Sequence, residues 1–245
     1  MMTKLITVVA GGFLLVGCMR DEVPAEINTA IQEIQDAYMR NEQRNVQLAL
    51  KKTRELYDRI SLIDDMRVKR ACYWRLTKSY LDVDPDKLEL RYRGRYLESV
   101  LRKGFDNIDT LELTLGTEKE EAWDARLKII SYVRHHAKRL RESIKLPDGV
   151  ESHGTMLVVK DVEADRRYMD MVSGYNAIAL RYENLIRRME KHDFRDDIKD
   201  LPEDVRVRLL KKFEDYLGRP MRTPEQCDRD RKNGTAIELP FYTGY

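Results

Sequence analysis

The segment RYRGRY, residues 91 to 96, holds the strongest candidate for binding chemistry in the sequence. At helical spacing, Arg91 and Arg95 share one face, and Tyr92 and Tyr96 share the next. A guanidinium group can form two parallel hydrogen bonds to a phosphate or carboxylate, and a tyrosine ring can stack on a sugar. The four residues therefore predict a ligand-binding patch. The alternative is an amphipathic helix with its tyrosines inward and its arginines in water.

Metal chemistry has little support in the sequence. The histidines are His135, His136, His153 and His192. Neighbouring histidines point about 100° apart on a helix, and neither His-Glu-x-x-His nor Glu-x-x-His spacing is present. The acidic stretch 82–86 resembles the start of a calcium loop, but Lys87 stands where that loop needs glycine and Arg93 where it needs glutamate. We expect no metal site and no cofactor.

Enzymatic motifs are also missing from the sequence. It contains no Gly-x-Ser-x-Gly, Walker loop or dinucleotide fingerprint. Cys72 falls on an apolar helix face, which disfavours a catalytic thiol. Carboxylates are abundant, and folding can bring any two of them together, so an Asp/Glu enzyme stays open as an alternative.

A short apolar run, residues 5–16, follows Lys4 and has the size of a signal-peptide core. A membrane-spanning helix needs about 20 apolar residues, so the run is too short for a permanent span. The run ends in Leu15-Val16-Gly17-Cys18, which resembles the lipobox of bacterial lipoproteins at all four positions. The resemblance covers residues 1–18. It implies that residues 1–17 are removed and that Cys18 carries a diacylglyceryl thioether and an N-acyl chain such as palmitate, which together anchor the protein to a membrane.

The residues after Cys18 help to predict in which membrane the lipoprotein would be anchored. Met19 stands where lipoproteins retained in the inner membrane of some bacteria have aspartate, which favours the outer membrane. Arg20-Asp21-Glu22 is similar to a surface-export tag of some Gram-negative lipoproteins; the alternative is a solvated charged tether. We expect a lipid-anchored protein of the bacterial cell envelope, with the periplasmic face or the cell surface left undecided.

The remaining cysteines, Cys72 and Cys227, would then lie in an oxidising compartment. A disulfide between them would close a loop of about 150 residues and contribute about 4 to 5 kcal/mol in the chain-entropy model. The alternative is two free thiols, with Cys72 buried as a small apolar residue. Spacing alone does not decide between them.

Composition favours helices and disfavours a polyanion partner. Charged residues make up 36% of the chain and aromatic residues 8%, with few glycines and prolines. The mature chain would hold 44 basic and 43 acidic residues. This near-neutral balance argues against nucleic acid as a partner.

Hydrophobic periodicity predicts an all-α fold, either a helical bundle or a short array of antiparallel helices. A tether over 18–24 would lead into a helical domain over 25–217, followed by an irregular tail over 218–245. The expected helices cover about 25–62, 65–81, 86–103, 117–145, 156–191 and 203–217, and the ambiguous residues 108–115 are read as helical. Asp84 is the expected N-cap of the third helix, and Gly104 its expected end.

The most regular stretch is a heptad seam. It consists of Tyr168, Met171, Tyr175, Ile178, Tyr182, Leu185 and Met189. The seam forms either a bundle core within the chain or a homo-oligomer interface. Together these features predict a lipid-anchored helical binding or scaffold module for another envelope protein or glycan. The alternatives are an envelope glycan- or peptide-processing enzyme that uses Asp/Glu residues and a self-assembling structural lipoprotein.

Overall fold

Helices account for most of the described chain, so the predicted all-α class is confirmed. The computed structural model describes residues 23–40, 43–115, 119–145, 150–153, 156–159, 162–235 and 239. Its elements are α1 (Ala25–Met39), α2 (Gln43–Ser61), α3 (Met66–Asp82), a 3₁₀ turn (Pro85–Lys87), α4 (Leu90–Leu115), α5 (Lys119–Ser143), β1 (Val150–His153), β2 (Met156–Val159), α6 (Val162–Arg188), a π-helical turn (Met189–Asp193), α7 (Phe194–Ile198), α8 (Glu203–Leu217) and α9 (Pro224–Lys232). The predicted signal peptide, Cys18 and residues 19–22 lie outside the described residues.

The first three helices form an antiparallel layer because short connections join them. Residues 40–42 separate α1 from α2, and residues 62–65 separate α2 from α3. Two helices that pack together across so short a link must run in opposite directions. The start of α1, the end of α2 and the start of α3 therefore lie at one end of the layer.

Helix α4 is central to the fold. It packs against α3, α5 and α6, and α8 packs against α5. Its apolar stripe is fully buried at Leu97, Val100 and Ile108. None of the described helices combines the length and the apolar character that a membrane span requires.

Helix boundaries differ from the prediction at several points. The stretch 25–62 forms two helices rather than one. Asp84 is an N-cap, as predicted, because its carboxylate accepts a hydrogen bond from the Asp86 N–H at 3.1 Å, but it caps the 3₁₀ turn rather than α4. Gly104 does not end α4, which continues to Leu115. A Cβ on Gly104 would lie 2.6 Å from Cδ1 of Ile129, so this glycine gives room to an α5 side chain.

A β-hairpin takes the place of the first residues of the predicted helix 156–191. Strands β1 and β2 pair antiparallel, with Val150 opposite Val159 and His153 opposite Met156. Helix α6 therefore begins at Val162 rather than at residue 156. Prediction failed here because the apolar run before α6 was assigned the helical period, although its β-branched residues also suit a strand.

The predicted irregular tail contains helix α9. Thr223 and Gln226 form a capping box at its start, and Pro224 occupies the first turn, where its missing N–H costs nothing. Both signals were present in the sequence. Leu239 is fully buried, so the chain after α9 returns to the body. The aromatic residues of 241–245 lie outside the described part of the chain.

Candidate functional site

Helices α4 and α6 cross with their backbones in contact. A Cβ on Gly94 would lie 2.6 Å from the carbonyl carbon of Gly174 and 2.7 Å from its carbonyl oxygen, closer than packed atoms come. Only glycine therefore fits at position 94. Beyond the crossing the two helices run in the same direction, because Glu98 of α4 forms a 2.9 Å ion pair with Arg181 of α6.

A groove of about 680 Å³ opens between α4 and α6 beyond this crossing. Its floor is apolar. Leu101 is buried, Phe105 and Leu185 are half-buried, and Leu180 is 50% exposed. The exposed part of Leu180 and its half-buried neighbours leave apolar area in the groove that another molecule could bury.

The rims of the groove are charged and polar. Helix α4 contributes Glu98, Arg102, Asp106 and Asp109, and α6 contributes Arg181, Asn184 and Arg188. Both signs of charge therefore surround the apolar floor. An amphipathic segment with one apolar face and mixed charges beside it has the complementary pattern.

The groove carboxylates each have a basic partner. Glu98 pairs with α6, as described above. Asp109 accepts a 2.7 Å hydrogen bond from Arg126, and Asp106 lies 4.0 Å from the Lys103 ammonium. The pairs of Glu98 and Asp109 join α4 to α6 and to α5, so these carboxylates already have a structural use. The arrangement therefore suits recognition better than acid–base catalysis.

Comparison with known proteins assigns no family. The chain matches no family model, no curated protein and no solved structure. What the groove binds must therefore follow from its own residues. Sequence reasoning missed this site, although isolated glycines inside helical patterns, such as Gly94 and Gly174, can mark close packing of two helices.

The predicted patch at 91–96 is divided by the fold. Tyr96 is buried, and its hydroxyl donates a 2.7 Å hydrogen bond to a backbone carbonyl of α3; Tyr92 is 7% exposed. Arg91 forms a 2.6 Å ion pair with Glu89 and lies over the Tyr92 ring, whereas Arg95 is exposed. The two tyrosine rings cannot stack on a ligand from these positions. The arrangement matches the amphipathic alternative, and ligand binding by the two arginines stays a prediction.

The heptad seam forms part of the core within the chain. Tyr168, Tyr175, Ile178, Tyr182 and Met189 are each at most 1% exposed. The remaining two seam residues, Met171 and Leu185, are partly buried against the same core. Because their surface is already covered by this chain, the seam residues have little area left for a second copy.

Of the two alternatives left open for Cys72 and Cys227, the structure has the free thiols, and both are buried. Cys72 lies in the core on α3, where burial raises its pKa to about 11. Cys227 lies on α9 and packs near the π-helical turn, with its sulfur 4.0 Å from a Glu190 oxygen. The two cysteines therefore belong to different parts of the packing, which sequence spacing alone does not reveal.

A polar cluster lies where the 3₁₀ turn meets α5. Ligand atoms of Asp84, Asp86 and His136 lie within 4.8 Å of one another. Asp86 is 3.3 Å from Nδ1 of His136 and 2.6 Å from the Arg139 guanidinium. Burial lowers the pKa of His136, although Asp86 opposes this shift. Because Arg139 already compensates the charge of Asp86, the cluster is better suited to fastening the turn onto α5 than to holding a metal ion.

Glu190 forms a buried ionic network that the sequence did not indicate. It lies in the π-helical turn and is fully buried. Its two oxygens accept hydrogen bonds from the Arg219 guanidinium at 2.6 Å, the Arg222 backbone N–H at 2.9 Å and Arg222 Nε at 2.8 Å. Burial raises the pKa of Glu190, but these hydrogen bonds outweigh that effect and lower it overall. Gly218, with φ of 65°, ends α8 and turns the chain toward the network.

Proposed function

We propose that this protein is a lipid-anchored envelope lipoprotein whose helical body binds a segment of another envelope protein. The groove between α4 and α6 carries the proposal, because it is an apolar surface held open beside a filled core. The lipobox at 15–18 supplies the anchor, and Met19 favours the outer membrane. An anchored body gains effective concentration near membrane partners.

A protein segment suits the groove better than a glycan does. Sugars are bound largely by exposed aromatic faces and hydrogen-bonding groups, but the aromatic side chain that lines the groove, Phe105, is half-buried. The groove floor instead offers Leu101, Phe105 and Leu180, which match the apolar face of a helix or an extended segment. Charges on both rims would fix the orientation of that segment.

The two alternative functions receive less support. The groove carboxylates are paired with cations, which disfavours an Asp/Glu enzyme. A self-assembling lipoprotein would have used the heptad seam, whose residues are covered within the chain. The self-assembly alternative predicts a different crosslinked partner from the binding module.

Site-specific photocrosslinking in intact cells tests the groove. A photoreactive residue would replace Leu180 in the groove and, as a matched control, Val207 on α8, which is 59% exposed and outside the groove. We expect one discrete adduct at position 180 and none at 207, identified by mass spectrometry and abolished by Phe105→Arg. Equal adducts at both positions, or none at 180, would contradict groove binding. An adduct with a second copy of this chain would support the self-assembly alternative.

Fractionation of cells tests the anchor separately. The wild-type protein should sediment with outer membranes and incorporate radiolabelled palmitate, whereas Cys18→Ala should do neither. A wild-type protein that is recovered in the soluble fraction would refute the lipoprotein assignment without bearing on the groove.

A further inference from the structure

The end of the bundle where the chain enters carries an exposed apolar tip, formed by Leu62 and Met66. Leu62, in the short link between α2 and α3, is 80% exposed, and Met66, the first residue of α3, is 41% exposed. The adjacent Ile63 is partly buried against the core. Ile63 therefore points into the core, whereas Leu62 and Met66 point outward.

The exposure of Leu62 is fixed by the local backbone. The Leu62 N–H donates to the Arg59 carbonyl at 3.3 Å, and the Ile63 N–H donates to the Ile60 carbonyl at 3.1 Å. Asp65 then caps α3 by accepting a 2.8 Å hydrogen bond from the Arg67 N–H. Backbone hydrogen bonds thus fix the chain on both sides of the tip. Leu62 points outward because the backbone around it is held in this conformation.

The described part of the chain begins beside this tip. Val23 is buried, and its carbonyl accepts a 3.3 Å hydrogen bond from the Asn28 amide, so the entry point is fixed. Because α1 and α2 are antiparallel, the start of α1 lies beside the end of α2, and packed helices are about 8 to 10 Å apart. Leu62 therefore lies at the end of the bundle where Val23 enters.

Five residue steps separate Val23 from Cys18, and a chain of that length spans at most about 18 Å. If Cys18 carries lipid, the membrane surface must lie within this distance of Val23. We infer that the tip of Leu62 and Met66 is a second membrane contact, which inserts into the lipid surface and orients the body on it. This inference rests on the proposed lipid anchor and adds an orientation to it.

Charge around the tip permits shallow insertion into a neutral or an anionic surface. The charged residues of the tip and its flanks are Asp58, Arg59, Asp64, Asp65, Arg67 and Lys69. Their formal charges cancel. Contact driven by two apolar side chains should therefore persist at high salt, unlike the binding of a basic patch.

Nitroxide labelling of the mature, lipidated protein tests the inference. The label is attached to Leu62→Cys or, as a matched control, to Met39→Cys, which is 39% exposed at the opposite end of the α1–α2 pair. The native Cys72 and Cys227 are buried and should stay unlabelled. The proteins are placed in vesicles of phosphatidylethanolamine and phosphatidylglycerol, and collision with oxygen and with a water-soluble nickel chelate is measured.

We expect the label at position 62 to lose collision with the nickel chelate and to retain collision with oxygen, in low and high salt. The label at position 39 should remain accessible to the chelate. In Cys18→Ala, position 62 should regain chelate access, because two side chains alone do not hold the body on a membrane. The measurement is repeated with the label on Met66→Cys, which shows whether the result at position 62 is caused by the label itself.

The outcomes separate the tip from the anchor. If the protein co-sediments with vesicles but positions 62 and 39 are equally accessible to the chelate, the tip inference is wrong and the lipid anchor stands. Shielding of position 39 instead of 62 would also overturn it. Wild-type protein that fails to associate with vesicles would refute the anchor, and the tip inference with it.

Discussion

The Gly94–Gly174 crossing makes a prediction in which two similar substitutions have opposite effects. Gly94→Ala places a Cβ 2.6 Å from the Gly174 carbonyl carbon, so the helices must separate. Gly174→Ala places a Cβ 3.8 Å from the Gly94 Cα, which is an ordinary contact. Both substitutions replace glycine within a helix, so both gain the same intrinsic helix propensity, about 1 kcal/mol.

The cost of overpacking and the gain in helix propensity together decide whether each substitution lowers or raises the free energy of unfolding. Overpacking costs about 1 to 3 kcal/mol, and the clash at Gly94 falls at the upper end because it involves backbone atoms. Gly94→Ala should therefore lower the free energy of unfolding by about 1 to 2 kcal/mol, net of helix propensity. Gly174→Ala should raise it by about 1 kcal/mol. In a domain of this size, 1 kcal/mol corresponds to about 2 to 4 °C in Tm.

Thermal and urea unfolding of the Cys18→Ala background, followed by circular dichroism at 222 nm, would measure both variants. A Tm for Gly94→Ala at or above that of the parent would refute the close crossing. So would an equal loss of stability in both variants. Because the crossing also sets the separation of α4 and α6, Gly94→Ala should weaken the crosslink at the groove, whereas Gly174→Ala should preserve it.

Three further predictions concern the charged network, the thiols and a helix cap. Glu190→Gln should cost about 3 kcal/mol at pH 7, because it removes the buried negative charge that Arg219 and Arg222 share. Since folding lowers the pKa of Glu190, the difference from wild type in urea unfolding should shrink as the pH falls below about 4. A pH-independent difference would contradict this. Cys72 and Cys227 should react with a thiol reagent only after unfolding, and a 2 Da increase in mass on reduction would instead reveal a disulfide. Asp65→Ala should lower stability by about 1 kcal/mol through loss of the α3 cap, and an unchanged urea midpoint would count against that cap.

The sequence predicted the fold class because the helical period is strong wherever helices pack on a core. The seam from Tyr168 to Met189 is buried as its spacing suggests, and the amphipathic alternative for Tyr92 and Tyr96 matches their positions. A single residue type was a weaker guide where it is compatible with two different structures. Gly104 suggested a helix end, but it accommodates Ile129 from another helix, and that requirement is tertiary.

The groove and the Glu190 network could not be predicted for the same physical reason. Both depend on which elements meet in space, and neither leaves a periodic pattern in the sequence. Gly94 and Gly174 were visible as isolated glycines, but the sequence does not show that α4 and α6 cross at these two residues. The tail helix, by contrast, could have been found from the Thr223–Gln226 capping spacing.

The Glu190 network has a consequence for the order in which the chain is completed. Its carboxylate belongs to the π-helical turn, but the two arginines that neutralise it come after Gly218. During synthesis from the amino terminus, α6 and α8 are made before those two arginines. A chain that ends at Leu217 would lack both the arginines that neutralise this carboxylate and the helix α9 that packs on the π-helical turn. The turn would then be left incompletely covered. Proteases would then have a physical basis for removing truncated copies while sparing full-length ones.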